Sequence, residues 1–117
     1  MITVTKTSRE FNEVEVYLMT IALGVKSVKD VEDGEKIPVE GWLEFEDKKD
    51  NGDSTLVLSV ITPDKKVYAC QSQTFKRSLK DIANIMGGKP FTVVKTSGKT
   101  KAGRDFVNCE LDVSSIL

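Results

Sequence analysis

A chain of 117 residues, 39% hydrophobic and 30% charged, is long enough to bury a core and is composed like an ordinary globular domain. It contains no histidine, which removes the commonest general base and metal ligand and argues against catalysis. The net charge of −1 hides a division: residues 1–64 carry 7 basic and 14 acidic side chains, a balance of −7, and residues 65–117 carry 10 and 4, a balance of +6. A polyanion would prefer the second half.

No apolar run approaches the ~20 residues of a membrane helix. The opening "MITVTKTSREF" lacks the basic start and apolar middle of a signal peptide, so an intracellular protein is expected. Cys70 and Cys109 lie far apart and outside any CxxC spacing. They read as two buried thiols. Neither a metal nor a cofactor is expected.

Residues 14–23, "VEVYLMTIAL", begin with alternation at Val14, Val16 and Leu18 and then become apolar on both faces. A strand is the first reading and a helix the second. "KSVKDVEDGEKIP" reads as a loop or short helical turn, with turn chemistry at Asp33-Gly34. From Lys36 to Glu46 the pattern alternates cleanly. Ile37, Val39, Gly41, Leu43 and Phe45 share one face, and Glu40, Trp42, Glu44 and Glu46 the other, expected to be a solvated face of a half-buried strand. "DKKDNGD" is a polar loop, "STLVLSVIT" (54–62) a central strand, and "PDKK" a turn into a third strand, Val67–Gln71.

The period then changes. Phe75, Leu79, Ile82 and Met86 form the apolar stripe of a short helix, capped by Ser72 or Thr74 and ended by Gly87-Gly88. Lys76, Arg77 and Lys80 are expected on its solvated side. Strands at Phe91–Thr96 and Asp105–Val113 follow. The order predicts an all-β fold: a five-stranded OB barrel with one helix between strands 3 and 4, and an added N-terminal strand. All 117 residues would form one domain, with 1–35 as an extension and 36–113 as the barrel.

"KTSGKTKAGRDF" (95–106) contains a Gly-Lys-Thr resembling a phosphate loop, but the required earlier glycine is Val93 and a strand follows instead of a helix. It reads instead as a basic hairpin loop carrying Lys95, Lys99, Lys101 and Arg104. In an OB barrel it would flank a nucleic-acid groove together with the first loop, which carries Lys48 and Lys49. Lys65 and Lys66 occupy the next turn. Trp42, Tyr68 and Phe106 alternate against their apolar neighbours. Each fits a platform for a stacked base, a second small core or a subunit interface.

From about Ser27 to Val113 the chain resembles bacteriophage-encoded single-stranded DNA-binding proteins, most closely those of small tailed phages, including lactococcal ones. The likeness rests on "DGEKIPVEGW", on "LSVITPDKKVYACQS" leading into "TFKRSLKDIANIM", and on "FTVVKTSGKTKAGRDFVNCELDV". It implies sequence-independent binding of single strands during phage replication and recombination in the host cytoplasm, without catalysis. It also implies a homo-oligomer, at least a dimer, and contact with replication or recombination proteins. By matching position, the DNA contacts would be Lys95, Lys99, Lys101, Arg104, Phe106, Lys48 and Lys49. Cellular relatives end in an acidic tail that recruits partners; this chain reads "LDVSSIL" there, so recruitment by such a tail is not expected. The alternative is a non-enzymatic interaction module that uses the acidic first half.

Overall fold

The computed structural model describes residues 1–115; Ile116 and Leu117, which end the "LDVSSIL" stretch, lie outside the described residues. In chain order the elements are β1 (Ile2–Thr7), α1 (Glu13–Thr20), β2 (Lys26–Ser27), a 3-10 turn (Val28–Asp30), β3 (Lys36–Val39), β4 (Gly41–Lys48), β5 (Ser54–Ile61), β6 (Val67–Cys70), α2 (Gln73–Met86), β7 (Phe91–Lys99) and β8 (Asp105–Leu111). A 3-10 turn at Val113–Ser115 closes the described chain.

Two sheets result, one ordered β1-β4-β5-β6-β2 and the other β3-β7-β8. The strand expected at 14–23 is a helix, α1, and the added N-terminal strand is instead β1, antiparallel to β4. A capping box explains the helix: Asn12 Oδ1 accepts the Glu15 amide at 2.8 Å, and Glu15 Oε1 accepts the Asn12 amide at 3.1 Å.

The long strand expected from Lys36 to Glu46 breaks at Glu40 into β3 and β4, which belong to different sheets. The break swaps faces. Ile37 and Val39 enter a core with Leu58, Val60, Phe75, Leu79 and Val93, whereas Leu43 and Phe45 enter a second core with Met19, Ile61 and Val67. At the break, a Cβ on Gly41 would lie 2.8 Å from the Phe11 ring and 3.4 Å from Arg9 Nε, so a side chain here would displace the Phe11 ring that packs against the strand.

The five-stranded sheet is thus covered on both faces. Trp42, Glu44, Leu58, Val60, Tyr68 and Cys70 share the face toward the first core, by their registered pairs. Phe45, Val57 and Val67 face α1 on the other side, where Ser59 Oγ donates to the carbonyl of Met19. Two of the three carboxylates expected on a solvated face, Glu40 and Glu44, are engaged. Glu44, 4% exposed, accepts from Lys80 at 2.7 Å, and Glu40 accepts from Arg9 at 2.7 Å. Lys76 is also buried instead of solvated, donating to the Leu56 carbonyl at 3.1 Å.

The helix expected between the third and fourth strands forms as read. Ser72 Oγ caps its first turn, Gly87 ends it with φ +62°, and Phe75 and Leu79 bury fully. Each such side chain contributes about 1.5–3 kcal/mol. A closed barrel does not form. β4 pairs with β5, β5 with β6, β3 with β7 and β7 with β8, but among the described residues β6 and β8 do not pair. β6 spans only four residues before Ser72 turns the chain into α2, and its free edge is taken by β2 in parallel. Across this seam Ser72 Oγ donates to the Val107 carbonyl at 3.2 Å.

Candidate nucleic-acid interface

The open seam is where the candidate site lies. A cleft of about 1110 Å³ runs between the β2–β6 edge and the β7–β8 hairpin. Val25, Val57 and Ala69 give it apolar patches, Lys29 and Lys99 give it exposed cations, and Lys95 lines it as a buried residue. At the hairpin end it is lined by Phe106 and Val107.

Local chemistry builds the hairpin. β7 and β8 pair from Val93 with Leu111 out to Lys99 with Asp105, and Thr100 closes the tip. The Thr100 amide donates to the Arg104 carbonyl at 2.8 Å, and the Arg104 amide donates to Thr100 Oγ1 at 3.1 Å. Gly103 takes φ +84°, a conformation that a side chain disfavours. Lys101 and Arg104 are exposed on this tip. Lys99 is 3.8 Å from Asp105, but both side chains are mostly in water, so that pair is weak.

Phe106 owes its position to its cross-strand partner. It pairs with Gly98, and a Cβ there would stand 2.7 Å from Phe106 Cζ. The missing side chain lets the ring lie across β7 at the mouth of the cleft. Phe106 is half-buried, with one side committed to the backbone.

Lys95 is placed differently from its neighbours. Only 5% exposed, its ammonium donates to Asp33 at 2.8 Å, and Ser97 Oγ donates to the same carboxylate. The Lys95 and Ser97 hydrogen bonds hold the Asp33 carboxyl below its ordinary value. The backbone ties the same loop down: the Lys95 amide donates to the Glu35 carbonyl at 3.0 Å and the Gly34 amide to the Lys95 carbonyl at 2.8 Å.

The structure does not gather the remaining sequence candidates at the cleft. Lys48 and Lys49, both exposed, stand at the β4–β5 turn; Lys65 and Lys66 stand at the β5–β6 turn. The eight residues of β5 separate the two turns by roughly 23 Å at about 3.3 Å per residue. Lys65 is 3.4 Å from Glu15, and Lys66 is 3.7 Å from Asp64. Trp42 and Tyr68 are half-buried against the first core, and neither lines the cleft. Lys29 lines it, although the sequence showed only one more charge in a polar loop. The role of Gly98 was readable in principle, by counting pairs back from the hairpin tip.

Cys70 and Cys109 are both buried and unpaired, and burial pushes the Cys109 thiol up to about 12. Among the described residues no group of three or more His, Cys, Asp or Glu side chains is placed to hold a metal, and no helix is long and apolar enough to cross a membrane.

Cations around a cleft with a half-exposed ring suit a polyanion whose bases are unpaired, the demand that single-stranded nucleic acid makes. The model of the phage single-stranded DNA-binding protein family matches residues 3–112, and the chain belongs to that family. No curated protein and no solved structure matches it. Membership makes this a single-stranded DNA-binding protein, in a family whose members generally bind DNA without catalysing a reaction.

Proposed function

We propose that the chain coats single-stranded DNA during phage replication and recombination by drawing the strand through the open-seam cleft of an OB-like fold. Lys29, Lys99, Lys101 and Arg104 contact phosphates, and a base stacks on Phe106. The pairing order supports the OB-like reading, since it is that of a five-stranded barrel with one seam left open. The observation that carries the proposal is the Phe106 ring, held over Gly98 at the mouth of a cleft lined by lysines. Sequence independence follows, because every base has a π-face whatever its identity.

Four phosphate contacts predict a log–log salt slope of about −2.8 for a labelled oligo-dT followed by anisotropy. The triple substitution K99A/K101A/R104A should bring the slope to about −0.7. Salt-insensitive binding, or equal affinity for duplex, contradicts the proposal.

One observation favours a second reading, in which the N-terminal half makes an interface. Val14, Tyr17 and Ile21 are more than half exposed on and just beyond α1, at the i, i+3, i+7 spacing of one helix face. A second copy of the chain covering this stripe would account for the expected oligomer. Sedimentation of Y17E at a mass well below that of the unaltered protein would support it; identical masses would remove it.

A further inference from the structure

A second depression, of about 390 Å³, lies away from the cleft, near the start of β7. Its walls come from the end of β1 and the segment after it, from the β3–β4 break and from the C-terminal part of α2 and the residues beyond it. Two features are chemically unusual. Arg9 Nε and Trp42 Nε1 both belong to its lining residues, and both are buried with no hydrogen-bond partner among the described residues. Each of these groups can only donate. A buried donor without an acceptor is costly, and it calls for a water or an ion to be explained.

The surrounding charge says which. Arg9 is matched by Glu15 and Glu40, and Lys80 by Glu44. Among the described residues, Lys6 and Lys89, both exposed in the lining, have no such match. The rim therefore carries two uncompensated cations above two donors that lack acceptors. The end of α2 does not oppose an anion strongly: the Gly87 backbone amide donates to the carbonyls of Ala83 and Asn84, and the Lys89 backbone amide to that of Met86. Half-buried Trp42 adds aromatic surface beside it, whereas Phe91, also in the lining, is only 9% exposed.

We propose that this depression is a second binding site, for a phosphate group carried on a nucleotide. Lys6 and Lys89 attract the phosphate, Arg9 Nε and Trp42 Nε1 turn toward its oxygens, and the base rests on the aromatic surface. The two pockets share no lining residue; along β7 the nearest are Phe91 of the depression and Lys95 of the cleft, about 13 Å apart at 3.3 Å per residue. Each can therefore be altered by substitution without touching the lining of the other.

Trp42 is the only tryptophan and sits in the site, so its emission is the reporter. Thymidine 5′-monophosphate should shift or quench it saturably, and inorganic phosphate should compete. Thymidine should act at least tenfold more weakly. K6A/K89A, at two exposed positions, should weaken the nucleotide response at least tenfold. The response should persist in F106A/K99A/K101A/R104A, a variant crippled in the cleft, which separates failure of this site from failure of the proposed function. In that variant, oligo-dT lacking terminal phosphates identifies the source: a response assigns the site to strand phosphodiesters, and a response to the mononucleotide alone assigns it to free nucleotide. No saturable change with the mononucleotide, an equal response to thymidine, an unchanged response in K6A/K89A, or loss of the response in the cleft variant would each overturn the proposal.

Discussion

Gly98→Ala isolates the stacking platform without removing a charge or a ring. The new methyl carbon would stand 2.7 Å from Phe106 Cζ and 3.1 Å from Cε1, closer than such atoms approach, so the ring must leave its place over β7. The backbone at 98 carries no positive φ, so alanine is not strained there and global stability should change by less than about 1 kcal/mol. A stacked base is worth about 1–3 kcal/mol, so F106A should weaken oligo-dT binding roughly 5- to 150-fold. G98A should produce a large part of that loss. The double substitution should bind no worse than F106A alone, because the ring G98A displaces is already gone. The salt slope should stay the same in all three, since no cation is removed. Anisotropy titrations of oligo-dT at three salt concentrations measure both quantities. Unaltered affinity in G98A beside a strongly weakened F106A, or a further loss in the double variant, would refute the idea that Gly98 seats the ring.

The Arg9 hydrogen bond, supported by the Asn12 amide, lowers the Glu15 carboxyl from 4.5 to about 2. Because the folded value lies below the unfolded one, its contribution is complete above about pH 4.5 and is lost as pH falls toward about 2. Urea unfolding of E15Q should therefore lack the part of the acid-side decline that the unaltered protein shows in this window; identical pH profiles would dismiss the pair as a contributor. In α2, Leu79 is fully buried and Ile85 is 79% exposed. L79A should cost about 2–5 kcal/mol and I85A under about 0.5 kcal/mol, both read from denaturant midpoints at constant m.

Some elements were legible because their signals are local. α2 has its stripe at 75, 79, 82 and 86, a serine before it and a glycine after it, and it forms with those caps. The β7–β8 hairpin is marked by two alternating runs around a Gly- and Lys-rich tip. α1 was misread although its own signal was present: Asn12 and Glu15 form a capping box in front of an apolar run that alternation alone describes equally well. The break at Glu40 had no comparable signal. The alternation from Lys36 to Glu46 continues through it, and only the identity of the covering elements shows that Ile37 and Leu43 serve different cores.

The same division holds for the site. The cationic, exposed tip with Lys99, Lys101 and Arg104 could be read from the sequence, because a tight hairpin loop leaves long charged side chains in water. What Lys95 does could not: its ammonium is neutralised by Asp33, 62 residues away in sequence. The charge imbalance between the halves shrinks in space for the same reason, with Lys65 reaching Glu15, Lys80 reaching Glu44 and Lys95 reaching Asp33.

By itself the sequence determined which segments are strands and helix wherever period and caps agree, and it placed an aromatic beside a basic turn. Tertiary structure decided which seam stays open, which lysines remain unmatched and which rings reach solvent. Those outcomes depend on contacts between residues tens of positions apart, and the preferences of neighbouring residues carry no record of them.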